Sequence, residues 1–156
     1  MLIEQIMNTT CITMQPTNSI AHAVELMQRH QIRHILVVNA RHELVGLVGL
    51  KEIQSASSIF HPDTAKQDLQ YPVSSIMIES PVTAHPLDFL EDAAVLFYEY
   101  RLTCLPIVRG RRLVGVVTET DLLRTFVQLT GALEPSSQIE IRVENTAGTL
   151  AKIAAL

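Results

Sequence analysis

The chain has 156 residues, 47% hydrophobic and 18% charged, enough for one ordinary domain or two small ones. Its net charge of −4 gives no global argument for nucleic acid or an anionic membrane surface. No apolar run approaches the ~20 residues that cross a bilayer, and with 4% aromatics and no Trp the core must come from Ile, Leu, Val, Ala and Met.

The N-terminus, Met1 to Gln5, lacks a basic region and does not read as a signal peptide. Ile6-Met7 leads to Ile12-Thr-Met-Gln-Pro16. Ile20, Ala23, Val24 and Met27 then fall at the i, i+3, i+4, i+7 spacing of a helix with one buried face. Asn18 or Ser19 is placed to cap it. Ile35 to Val38 and Leu44 to Val48 are uncharged, β-rich runs joined by a polar turn, as expected of strands covered on both faces. A second helix begins near Lys51, and a polar stretch with two prolines, residues 59–72, reads as a linker.

The pattern then repeats. Ile76-Met77 matches Ile6-Met7, and Val82-Thr-Ala-His-Pro86 matches Ile12 to Pro16. Leu90, Ala93, Ala94 and Phe97 match the first helical face, with Asp88 placed as its cap and Glu91 three residues on. Leu105 to Val108 and Leu113 to Val117 are the second strand pair, joined by Arg109-Gly-Arg-Arg112. A last helix runs from about Thr118 to Leu129, with Gly131 and Pro135 as stop and break. The order is β-α-β-β-α twice, an α/β (α+β) fold of two repeats packed about a pseudo-two-fold axis. Each unit alone would expose an apolar sheet face, and packing two together buries it.

The expected boundaries are residues 1–58 and 73–130 for the repeats and 131–137 for a second linker. Residues 138–156 read differently. Gln138 to Glu144 alternates apolar and polar residues like a half-buried strand, and a helix begins at Thr149. One strand and two helical turns cannot bury a core, so we expect the front edge of a further domain, cut short at Leu156.

The chemistry concentrates at Thr118-Glu-Thr-Asp121, where a buried strand runs into a helix. The helix start offers unpaired N–H groups and the positive end of a dipole, which suit an anion. A carboxylate beside it can accept hydrogen bonds from ribose-like hydroxyls. The same residues also read as a simple capping box, Thr118 and Asp121 serving the helix alone.

Other constellations are weak. The six histidines are scattered; His30 and His34 are four apart but straddle a helix-to-strand change, so they do not form a metal pair. No P-loop or dinucleotide fingerprint occurs, and no convergent nucleophile or acid–base set, so an enzyme is not expected. Cys11 and Cys104 lie far apart in sequence and read as reduced cytosolic thiols. Arg109, Arg111 and Arg112 form the one dense basic cluster, at a hairpin tip, without a nucleic-acid-binding signature.

The Ile-Met lead-in, the Ile/Val-Thr-x-x-Pro entry, the Leu105-Pro-Ile-Val108 strand and Gly115-Val-Val-Thr-Glu-Thr-Asp121 together resemble the cystathionine-β-synthase (CBS) domain family. The pair, about Met1 to Leu129, resembles a tandem (Bateman) module. The tail looks like the first strand and helix of an ACT domain, a small-molecule-sensing fold. Ala84-His-Pro-Leu-Asp-Phe89 and the run Thr120 to Ala132 are similar to CBS proteins of acetoin utilisation.

The resemblance implies a cytoplasmic, non-enzymatic regulatory module for acetoin- or acetate-linked carbon metabolism. No cofactor is required. An adenine nucleotide (AMP, ADP or ATP) or S-adenosylmethionine is the implied ligand, held in a cleft between the repeats. It places the ribose on Asp121 and phosphate on Thr118 with Thr120 adjacent. The base lies against Met7, Ile12 and Ile32 of the other repeat, with Arg33, Thr103 and Val116 also counted among the nucleotide-binding residues. A mirror cleft would use Val82, Leu102, Gly49, Lys51 and Glu52. There Gly49 stands where the family has a hydroxyl, Glu52 replaces the Asp and Leu36 replaces the Pro, so this cleft is expected to be the weaker one. The resemblance also implies a homodimer through the helices, with the effector protein unknown. The alternative is a purely structural dimerisation module whose clefts have degenerated.

Overall fold

The structure is a computed structural model and describes residues 1–56 and 69–132, with residues 142, 143, 146–149 and 151 of the tail. The first repeat holds β1 (Thr13–Met14), α1 (Ile20–His30), β2 (His34–Val38), β3 (Leu44–Gly49) and α2 (Leu50–Ala56). The second lead-in contributes β4 (Ile78–Glu79), followed by α3 (Leu90–Tyr100), β5 (Cys104–Arg109), β6 (Arg112–Thr118) and α4 (Glu119–Leu129). The expected α+β repeat is present, with two differences. Each repeat is preceded by a single 3₁₀ turn, Ile3–Gln5 and Val73–Ser75. The entry strand of the second repeat is reduced to one parallel bridge, Ala84 to Ile107, where the first has the two-residue β1·β2 ladder.

The helix ends follow local chemistry. Ser19 caps α1, its hydroxyl accepting from the His22 N–H at 3.2 Å, while Asn18 instead accepts from Gln15 N–H at 2.7 Å. Asp88 does not cap α3: its carboxylate accepts from His85 N–H at 2.7 Å, and Phe89 takes the cap position without a side-chain bond. Ala23 and Ala93 face the core as expected, whereas Ala94 is exposed and Leu96 is half-buried in its stead.

The chain divides into two units, Met1–Thr125 and Phe126–Leu156. The first holds both repeats and three apolar clusters. One gathers α1, β2 and β3 around Ile35 and Val48; a second gathers α3, β5 and β6 around Leu105 and Val117. The third lies between the repeats and joins Leu36, Val38 and Leu47 to Cys104 and Leu113. In the second unit Gly131 takes φ 63° at the end of α4, as its position past the last apolar residue predicts. The strand expected over 138–144 and most of the helix beyond 149 lie outside the described residues, as does most of the linker 59–72.

The lead-in turns are exchanged. Ile3, from the start of the chain, is fully buried in the second repeat's cluster. Its N–H donates to Asp88 C=O at 3.0 Å, and Glu4 N–H to Pro86 C=O at 2.9 Å. Val73, which precedes the second repeat, is fully buried in the first repeat's cluster, and its N–H donates to Asn18 C=O at 2.7 Å. The two methionines follow. A Cβ on Gly115 would meet Met7 Sδ at 2.7 Å, and one on Gly46 would meet Met77 Sδ at 2.5 Å. Each glycine leaves the space that the opposite repeat's methionine fills. A buried isoleucine truncated to alanine loses about 2–5 kcal/mol. Ile3→Ala should therefore destabilise the chain by that amount in chemical denaturation, although it lies outside the repeat whose core it fills. A loss under about 0.5 kcal/mol would show that the lead-in is merely draped on the surface.

Candidate functional site

Where β6 enters α4, the capping box read from sequence is formed. Thr118 N–H donates to Asp121 Oδ2 at 2.9 Å, and Asp121 N–H to Thr118 Oγ1 at 3.3 Å. The Thr118 hydroxyl also donates to Asp121 Oδ2, at 2.6 Å. Oδ2 is thus saturated by its own turn, while Oδ1 has only a long, exposed Arg124 partner at 3.8 Å. The cap therefore uses one carboxylate oxygen of Asp121 and leaves the other outside it.

This turn forms one wall of a cleft of about 240 Å³ between the repeats. Ile12, Ile32, Arg33, Thr103, Val116, Thr118, Thr120 and Asp121 all line it. Met7 does not: it packs on Gly115 within the second repeat's cluster, behind the wall. Sequence reasoning missed Asn8, Thr10, Cys11, Gln31, His34, Leu36, Cys104 and Glu119. Gln31 ends α1 with φ 54°, a left-handed conformation unusual outside glycine, and Arg101 ends α3 with φ 51°. Each of these residues edges one cleft.

The mirror cleft has a volume of about 460 Å³. Gly49, Lys51, Glu52 and Leu102 line it, but Val82 packs against the second repeat's core instead. Glu52 repeats the Asp121 arrangement, accepting Gly49 N–H at 2.9 Å. The clefts differ in charge. The first presents Arg33 against Glu119 and Asp121; the second presents Arg33, Lys51 and Arg101 against Glu52.

Four residues, Arg33, His34, Thr103 and Cys104, line both clefts. His34 Nε2 and Thr103 Oγ1 are hydrogen-bonded at 2.6 Å. Burial, and then the neighbouring Arg33, lower the His34 pKa; Glu52 and Glu119 act in the opposite sense. The cysteines, distant in sequence, both reach the first cleft. Burial pushes the Cys104 thiol up to about 12, with Cys11 and Asp121 adding to the shift, and burial also raises Cys11. Among the described residues no group of three or more His, Cys, Asp or Glu could hold a metal ion. Nor, among them, is any helix long and apolar enough to cross a membrane.

The CBS domain family model matches residues 3–58 and 73–128, most of the chain. The chain belongs to the CBS domain family. Its CBS pair is similar to the CBS domain-containing protein YhcV of Bacillus subtilis (strain 168), 32% identical over 120 residues, 77% of this chain and 81% of that protein. It is also 27% identical over 126 residues to the L-aspartate semialdehyde sulfurtransferase of Methanocaldococcus jannaschii. That match takes in 80% of this chain but only 23% of the enzyme's length, so this CBS pair corresponds to a minor part of it. Among solved structures, the fold matches a protein from Vibrio cholerae assigned to acetoin utilization (AcuB), with TM-score 0.74, 24% identity and coverage of 88% of this chain and 98% of that one. It also matches the CBS domain pair of protein MJ0100 in complex with 5′-methylthioadenosine and S-adenosyl-L-methionine. That likeness has TM-score 0.70, 26% identity and coverage of 83% and 98%.

The thiols give a test of the cleft's floor. With its pKa near 12, Cys104 is about one part in 10⁴ thiolate at pH 8, roughly a thousandfold less than an ordinary thiol. Cys104 should therefore stay unmodified by a disulfide reagent such as Ellman's in the folded Cys11→Ser variant and react at once in denaturant. Comparable rates in the two conditions would mean that the floor is open to water.

Proposed function

We propose that the chain is a cytoplasmic regulatory module, not an enzyme, that senses an adenosine-containing ligand in the first cleft. One observation carries this reading. Asp121 holds its own helix turn through Oδ2, leaves Oδ1 outside that turn, and lines a cleft whose walls include the apolar Ile12, Ile32 and Val116. That combination takes a flat base on one side and a vicinal diol on the other. Arg33 is the cation within reach of a 5′-phosphate, as a charge-assisted donor. Thr103 and Thr120 add hydroxyls. The ligand classes are AMP, ADP, ATP or S-adenosylmethionine; the small volume and the two carboxylates favour a nucleoside with few negative charges. The ligand complex of the related MJ0100 pair supports the adenosine reading. The acetoin or acetate connection rests on the sequence resemblance of residues 84–89 and 120–132. A ligand that touches both repeats favours whichever arrangement of them it binds better, which is the route from binding to output.

A second reading, a structural homodimer with unused clefts, is favoured by apolar residues that the helices leave exposed. Val95 and Tyr98 on α3 are 51% and 87% exposed, and Leu123 on α4 is 64% exposed.

Calorimetry with AMP and S-adenosylmethionine separates the readings. A hydrogen bond to a charged group is worth about 1.5–3 kcal/mol, so Asp121→Ala should weaken binding about tenfold to a hundredfold. Glu52→Ala should change it less than about threefold, because Gly49 supplies no hydroxyl beside it. Unchanged affinity in Asp121→Ala would leave the structural dimer as the better account.

A further inference from the structure

His34 occupies a position that the nucleotide reading does not use. It begins β2, lines both clefts, and reaches across to the second repeat through Thr103 Oγ1 at 2.6 Å. Arg33, the cation proposed for phosphate, is its chain neighbour and lines the same two clefts. A phosphate held by Arg33 in either cleft therefore lies beside the imidazole.

The two clefts that the ring lines carry three cations and three carboxylates between them. Arg33 precedes His34, Lys51 and Glu52 lie on α2, Glu119 and Asp121 on α4, and Arg101 ends α3; the thiol of Cys104 is protonated. Arg33 opposes a charge on the ring, and Glu52 and Glu119 favour one. Without a ligand, burial and Arg33 favour the neutral form. A phosphate dianion reverses that preference. Protonation also fixes the bond to Thr103. An imidazolium has two N–H donors and no acceptor, so Nε2–H must donate to the threonine oxygen. The Thr103 hydroxyl hydrogen is then released to point into a cleft as a donor.

We propose that His34 is the residue by which this module distinguishes phosphorylated from uncharged adenosine ligands, taking up a proton from solvent as the phosphate binds and turning the Thr103 hydroxyl toward it. The proposal rests on the nucleotide reading above. Its sign is fixed: binding linked to proton uptake strengthens as pH falls. Affinity for a phosphorylated ligand rises as pH drops through the window around and below 6.5, while that for an uncharged nucleoside does not.

The test compares AMP with adenosine on the full chain and on His34→Gln, which keeps a hydrogen-bonding partner for Thr103 but does not titrate. Calorimetry at pH 6.5 in buffers of different ionisation enthalpy reads the protons taken up. AMP should bring an uptake in the native chain that exceeds that of His34→Gln by roughly half a proton, and adenosine none in either. The phosphate's own titration is common to both chains and cancels. Between pH 7.5 and 5.5 the native chain should gain several-fold more affinity for AMP than the variant, up to about tenfold for a one-unit rise in the His34 pKa. Proton NMR of the His34 ring, with and without AMP, reads that rise directly and needs no folded variant. Equal proton uptake in the two chains, or a ring pKa that AMP does not move, would overturn the proposal while leaving the nucleotide site intact. Failure of both AMP and adenosine to bind would overturn the nucleotide reading and this inference with it.

Discussion

Ile3 and Val73 each fill a core that belongs to the opposite repeat, and the rest of the arrangement depends on that exchange. A β-α-β-β-α unit of under 60 residues buries little apolar surface alone. Here each unit is completed by a 3₁₀ turn supplied by its counterpart's lead-in, and each lead-in methionine fills the space over a glycine of the opposite sheet. The third cluster, with Leu36, Leu47, Cys104 and Leu113, then closes the contact between the repeats. The clefts flank this closed contact, so their walls come from both repeats by construction. A ligand in either one touches groups whose spacing is set by the exchange.

The two clefts differ because one cross-strand pair differs. His34 lies opposite Gly49 in the first repeat, and Cys104 lies opposite Thr118 in the second. Where the second repeat has a hydroxyl on the strand that feeds its helix, the first has none. The imidazole comes within 3.4 Å of where a Gly49 side chain would begin, and such a Cβ would also meet Glu52 Oε2 at 2.7 Å. A hydroxyl-bearing residue therefore does not fit at 49 without displacing Glu52. The asymmetry is a consistent set: a large polar ring with a glycine on one side, a small thiol with a threonine on the other.

Much of the fold was legible because period-2 and period-3.6 patterns recur at a fixed offset along the chain. The strands, the helices and the Thr118–Asp121 cap follow from residue types at local spacing. What was not legible depends on contacts distant in sequence. Nothing local to Ile3 or Met7 says that they serve the second repeat, so Met7 was expected on the cleft wall rather than behind it. Val82 was misplaced for the same reason. His34 was weighed against His30, its sequence neighbour, when its real partner is Thr103, 69 residues away. The repeat offset of 70 matches His34 to Cys104 as equivalent positions, which does not pair His34 with Thr103. Asp88 failed for a different reason: two turns competed for one carboxylate, and the His85 turn won.

The central claim is that the exchanged lead-ins make the two repeats one cooperative unit, so that binding between them is felt by both. Native-state hydrogen exchange measures this most directly, through the amides of Ile35 and Val37 in β2 and of Leu105 and Ile107 in β5, all fully buried. If the cores depend on each other, these amides exchange only by global unfolding and report the same opening free energy, within about 0.5 kcal/mol. A difference of about 2 kcal/mol or more between the two strands would mean that one repeat opens while the other stays folded, and the account would be wrong.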